Sequence, residues 1–159
     1  AEELKGHRDE GFRPPHPTVN VGMIRTFDTD IRLTGSCRLP PSVPDKTYEA
    51  WMKKLEQAVH SVGATFRVKD YRKGFSTRED LPFVLESQGL LKEMGLDSGL
   101  EKITMVTEAS VFSRLGVECL VWGPGQSVGN SHAPNESVNV NDLRTATDFY
   151  KRLMERFCL

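Results

Sequence analysis

Residues 117–140 read VECLVWGPGQSVGNSHAPNESVNV, and the fold turns on how that stretch is parsed. An apolar run, Cys119-Leu120-Val121-Trp122, breaks at Gly123-Pro124-Gly125. A polar loop follows and delivers a lone histidine, His132. Glu136 comes four residues later, and Val138 and Val140 alternate into a new helix. This is the pattern of a buried strand whose end feeds a loop carrying chemistry. A neutral imidazole held on such a loop is a good zinc ligand. The plainer alternative is a polar loop residue, since one ligand does not make a site.

Outward from this stretch, the second half of the chain reads as alternating helices and strands. A helix is predicted over residues 80–94, with Leu81, Val84, Leu85, Leu91 and Met94 apolar and Gly95 as its stop. A short buried strand follows at residues 102–106, then a helix over 108–115 that begins at Thr107 and stops at Gly116. Residues 117–122 form the next strand. The last helix is capped at Asn141 or Asp142 and runs to about Phe157, turning Leu143, Ala146, Phe149, Tyr150, Leu153 and Phe157 inward. Such an order implies parallel strands, with ligands beyond their carboxyl ends. Both strand ends carry candidate chemistry, at Thr107-Glu108 and at the loop to His132.

The first half is patterned differently. Residues 1–10 read as the tail of a helix, and residues 11–17 (GFRPPHP) as a proline-rich linker that cannot stay helical. Residues 18–25 read as a strand. Residues 30–39 alternate Ile31, Leu33, Gly35, Cys37 and Leu39 against Arg32, Thr34, Ser36 and Arg38, the pattern of an antiparallel strand with one wet face. A helix starts near Asp45 or Thr47, with Tyr48, Trp51, Leu55, Val59 and Val62 on one stripe and Gly63 as its stop. Residues 64–71 (ATFRVKDY) alternate again as a strand. Strand, strand, helix, strand makes a small α+β sheet with one face covered. Trp51 and Trp122 read as core aromatics, Cys37 and Cys119 as small core residues.

Composition limits the function classes. The chain has 159 residues, with 38% hydrophobic and 27% charged, as in a globular protein of one ordinary or two small domains. A net charge of −1 leaves no electrostatic footprint for nucleic acid or an anionic membrane. No apolar run approaches the roughly 20 residues of a membrane span. The charged N-terminus has no apolar signal core, and three widely spaced cysteines form no disulfide framework. Together these favour a cytoplasmic setting.

The elements Thr107-Glu108-Ala109-Ser110-x-Phe112, Leu115-Gly116-Val117, Gly123-Pro124-Gly125 and His132-x-Pro134-x-Glu136-x-Val138 carry a resemblance. In order, spacing and context they resemble the C-terminal portion of the zinc amidohydrolase family of acetylornithine deacetylase, succinyl-diaminopimelate desuccinylase, aminoacylase and glutamate carboxypeptidase. The first half resembles that family's inserted lid, or dimerisation, domain. The implied fold class is α/β: a partial α+β lid over residues 18–74, after a helix tail and linker at 1–17, and the C-terminal part of an α/β zinc-hydrolase catalytic domain over 75–159.

The resemblance implies the following roles. His132 matches the family's C-terminal zinc ligand, and Glu136 a group that orients that loop behind the metal. Thr107 and Glu108 match a Thr-Asp-Ala type element near the substrate, although Glu108 replaces the commoner aspartate and Val106 stands where glycine is common. Arg38 matches an arginine that binds the substrate carboxylate, as a guanidinium fork suits; an exposed strand arginine is the equal alternative. The family's other metal ligands, for two zinc ions in all, and its general base lie in an N-terminal half with no counterpart here. His7-x-Asp9 reads as a solvated turn, so no catalytic residue is assigned. The first lid strand, and the histidine that stabilises the oxyanion across the dimer, also have no counterpart. The resemblance implies a fragment of a deacylase or carboxypeptidase-like enzyme, inactive alone, acting as a homodimer on N-acyl amino acids or small peptides. The competing reading is a non-catalytic interaction module, pairing through exposed sheet edges.

Overall fold

The computed structural model describes residues 6–159, and the element order mixes short strands and helices. The strands are β1 (Phe12–Arg13), β2 (Thr18–Thr26), β3 (Ile31–Arg38) and β4 (Lys102–Ile103). The helices are α1 (Asp45–His60), α2 (Pro82–Glu93), α3 (Ala109–Arg114) and α4 (Val140–Cys158). The chain divides into two compact units, one of residues 1–76 and 101–117, the other of residues 77–100 and 118–159. Among the described residues no helix is long and apolar enough to cross a membrane.

In the first unit, β2 and β3 form an antiparallel ribbon from Thr18↔Arg38 to Thr26↔Ile31. A bulge lies between Val21 and Met23. One inserted residue flips the side-chain phase. Val19 and Val21 before the bulge therefore share a face with Ile24 after it, together with Ile31, Leu33 and Cys37. The opposite face carries Thr18, Asn20, Met23, Arg25, Arg32, Thr34, Ser36 and Arg38. Gly35 is the tight point of the pairing, because a Cβ there would lie 2.8 Å from the Asn20 carbonyl oxygen.

The ribbon corrects two expectations. The antiparallel pairing forms, but among the described residues no helix covers the apolar face: Val21 is 65% exposed and Ile31 71%. Cys37 is exposed rather than a core residue. The helix α1 buries Trp51 and leaves Leu55 exposed, and Val62, expected on the same stripe, lies exposed beyond its end. The first unit's core is instead Phe12, Val43 and Trp51 with Pro40.

Residues 64–71 do not form the expected strand. Tyr71 stacks on Tyr48 of α1, ring centroids 3.9 Å apart, and donates to Asp45 Oδ1 at 3.1 Å. Lys73 reaches the same carboxylate at 3.0 Å. These contacts hold the segment's end along α1, away from a sheet edge. The expected helix tail at 1–10 lies partly outside the described residues; residues 6–10 are turn and loop. The half-buried His7 ring packs edge-on against Trp51 at 5.2 Å, so it is not merely a solvated turn residue. Within the supposed linker, β1 pairs in parallel with β4, Phe12 opposite Lys102. The strand expected over 102–106 is confined to Lys102–Ile103.

The second unit is built on α2 and α4. Pro82 opens α2 where a missing N–H costs nothing. Gly95 ends it at φ +70°, a conformation that strains any residue with a Cβ, while the Leu96 N–H returns to the Leu91 carbonyl at 2.9 Å. Asn139, two or three residues before the expected caps, starts α4 by accepting the Asn141 N–H at 2.8 Å. Leu90, Leu91 and Phe149 form the core, with Met94, Leu96, Trp122 and Leu153 against it. Arg156 pairs with both Glu86 and Glu93, tying the two helices at their polar margin.

Residues 117–122 are not a strand. Two of their carbonyls accept from side chains rather than from a ladder: the Thr77 hydroxyl donates to Cys119 O and the Tyr150 hydroxyl to Trp122 O. Trp122 sits against Phe149, centroids 4.4 Å apart. The run is anchored through its indole and through these two carbonyls. The one parallel pairing among the described residues is therefore β1 with β4, not a sheet through residues 117–122.

Candidate functional site

The loop from Gly123 to Asn139 is a chain of tight turns closed on itself. Asn130 acts as its clasp, donating from Nδ2 to Ser137 O at 2.7 Å and accepting the Ser137 N–H on Oδ1 at 3.1 Å. One amide side chain thus pairs with a backbone as a strand neighbour would. At its start, the Asn130 and Ser131 N–H groups reach Ser127 O, and inside it the Ala133 N–H reaches Asn130 O. At the base, a Cβ on Gly125 would lie 3.1 Å from Val138 Cγ2, so the two ends of the loop are in close contact.

His132 lies within this clasp with φ +62°, and Asn135 with φ +63°. A left-handed histidine carries strain of roughly 1–3 kcal/mol that its surroundings must hold. The holding group is Glu136, whose Oε2 accepts the His132 backbone N–H at 3.0 Å. His132 is exposed, and its ring makes no hydrogen bond among the described residues. The imidazole is thus fixed at its backbone and free at both nitrogens.

The other sequence-predicted residues fall in the first unit. Arg38 ends β3 opposite Thr18, exposed, with no carboxylate partner among the described residues. It lines an open depression with Thr18, Asn20 and Ser36. Thr107 lies at the entry to α3, where its Oγ1 accepts the Ala109 N–H at 3.4 Å and its carbonyl accepts from Ser110. Glu108 is exposed and stands 3.8 Å from Arg72. The structure therefore brings His132 together with Glu136, and Thr107 alongside Glu108. Arg38 belongs to the ribbon.

The fit to a metal can be tested on the donors present. Among the described residues no group of three or more His, Cys, Asp or Glu could hold an ion. His132 offers one good nitrogen donor, and Glu136 is committed to the backbone. These residues do not by themselves make a metal centre, since a catalytic zinc takes about three protein ligands. Sequence reasoning missed Asn130. Its only signal is an asparagine in a Gly/Ser/Asn-rich loop, where side chains compete for backbone partners.

Comparison with known proteins fixes the class. The model of the peptidase family M20/M25/M40 matches residues 5–156. The chain belongs to that family. It is 30% identical over 168 residues to an acetylornithine deacetylase of Myxococcus xanthus, covering 98% of this chain and 42% of that protein. Acetylornithine deacetylases of Vibrio campbellii and Vibrio parahaemolyticus are 28% and 26% identical, again over 98% of this chain and 42% of theirs. The chain thus spans less than half the length of these curated relatives. No solved structure matches.

Proposed function

We propose that this chain is part of a metal-dependent amide hydrolase acting on N-acyl amino acids or small peptides, to which it contributes His132 as one zinc ligand. The observation that carries this reading is the clasped loop, in a member of this family, that fixes the His132 backbone and leaves its ring free. The names of the relatives favour an N-acetylated amino acid such as acetylornithine. In this reading Glu136 orients the loop, Thr107 and Glu108 lie near the substrate, and Arg38 takes its carboxylate. Residues elsewhere in the whole protein complete a site for two zinc ions. Cys37, Cys119 and Cys158 form no disulfide among the described residues, which suits a reducing, cytoplasmic setting. The ribbon would join two copies in a homodimer.

A second reading, a non-catalytic interaction module, is favoured by the bare apolar face of the ribbon. Two measurements separate them. Zinc calorimetry on the chain and on His132→Ala is expected to find weak binding or none in both. Mixing the chain with the N-terminal portion of the Myxococcus relative is expected to restore acetylornithine hydrolysis, and His132→Ala to abolish it. Equal hydrolysis by native and variant chains would remove His132 from the site. No hydrolysis, with a dimer whose size-exclusion mass ignores chelator, would leave the interaction module standing.

A further inference from the structure

Among the described residues only two that are not glycine have a positive φ, His132 and Asn135, and both lie between Asn130 and Ser137. Such backbone persists only where its surroundings over-determine it. The restraints here are nested. The outer one is the close approach of Gly125 to Val138. The middle one is the Asn130 carboxamide, bound to both backbone groups of Ser137 at 2.7 and 3.1 Å. The innermost is the Glu136 carboxylate, accepting the His132 N–H at 3.0 Å. The middle and inner restraints are unequal. Asn130 is half-buried and uses a short side chain for two bonds. Glu136 is exposed and makes its one bond with a longer side chain, which loses more rotamer freedom.

We propose that Asn130 is the positioning residue of this loop. By fixing the Ser137 backbone it fixes the neighbouring Glu136, whose carboxylate then holds His132 in its left-handed conformation. The clasp also ties the loop to the rigid start of α4, since Asn139, the cap of that helix, lies just beyond Ser137. The imidazole is therefore presented by the chain alone, before anything binds it, as a pre-organised site requires. Asn130 acts through Ser137 and Glu136 and touches no ligand itself. Its functional meaning rests on the role proposed for His132 above.

The test is NMR and amide hydrogen exchange on the chain in the presence of chelator. A positive φ brings an amide proton close to its own Hα, so native His132 should show a strong intraresidue NOE between the two. Asn130→Ala should remove that NOE and speed exchange at both His132 and Ser137 by about tenfold or more, the scale of two lost hydrogen bonds. Asn130→Asp keeps the acceptor for the Ser137 N–H, loses the donor to Ser137 O, and should fall between. Glu136→Ala should speed exchange at His132 and leave Ser137 slow. Asn139→Ala weakens the α4 cap without touching the clasp and should leave the His132 NOE intact. A native chain without the NOE, or an NOE that survives in Asn130→Ala, would overturn the proposal. So would Ser137 exchange that rises as much in Glu136→Ala as in Asn130→Ala, or an NOE lost equally in Asn139→Ala. The ligand reading fails separately: hydrolysis undiminished by His132→Ala would overturn it and leave the clasp standing.

Discussion

The β2–β3 ribbon and the α2–α4 pair both carry clean apolar patterns, and they treat them in opposite ways. On the ribbon, Val19, Ile24 and Leu33 are 58%, 67% and 63% exposed. Between the helices, Leu90 is 1% exposed and Phe149 3%. A two-stranded ribbon satisfies its backbone through its own ladder and needs no third element to form hydrogen bonds. It therefore exists with its apolar face open. Each helix satisfies its own backbone as well, but α2 and α4 also meet through side chains and close their interface on each other. An apolar pattern fixes which residues share a face; it does not supply the partner that covers it.

The largest test of this contrast is a pair of truncations. Leu90→Ala should cost about 2–5 kcal/mol, the range for a buried leucine. Leu33→Ala should cost less than about 0.5 kcal/mol, as at an exposed position. Urea unfolding would read Leu90→Ala through Trp122 in a Trp51→Phe background, since Trp122 packs on that core. The far-UV signal would read Leu33→Ala. A cost at Leu33 comparable to that at Leu90 would mean that the ribbon face is covered in solution.

A smaller effect is expected at the start of α4. Asn139→Ala removes the acceptor of the Asn141 N–H and should cost about 1 kcal/mol, as other N-cap losses do. The loss should be visible as a lower urea midpoint with an unchanged slope. A cost near that of Leu90→Ala would show that the helix pair depends on its cap as strongly as on its core.

The same contrast explains what could be read in advance. The helices were legible because their signals are local: a 3.6-residue stripe, and glycine stops at Gly63, Gly95 and Gly116, all with positive φ. The β2–β3 pairing was legible from alternation, but the bulge was not, because Val21-Gly22-Met23 is an unremarkable strand sequence until the register is known. Residues 64–71 and 117–122 had strand patterns and formed no strands: Tyr71 stacks on Tyr48 of α1, Trp122 packs on α4, and the Cys119 carbonyl accepts from Thr77 in a loop. At the candidate site, His132 and Glu136 were visible as a spaced pair. The clasp by Asn130 was not, because a side-chain-to-backbone bond across seven residues leaves no periodic trace.

The smallest effect concerns the contact that keeps residues 64–71 from the ribbon. Tyr71 is pushed up to about 12, by burial first and then by its hydrogen bond to Asp45. Its folded pKa thus lies above the unfolded value near 10. The stabilisation is fully present below about pH 10 and is lost as pH rises through 12. Tyrosinate absorbance, with Tyr71→Phe subtracted from the native chain, should place this ring's titration near 12. Asp45→Asn should bring it part of the way back, because burial against Tyr48 remains. A Tyr71 that titrates near 10 would mean that the contact is open in solution. Residues 64–71 would then be free to pair along a ribbon edge, and the bare ribbon would have a candidate third strand from its own chain.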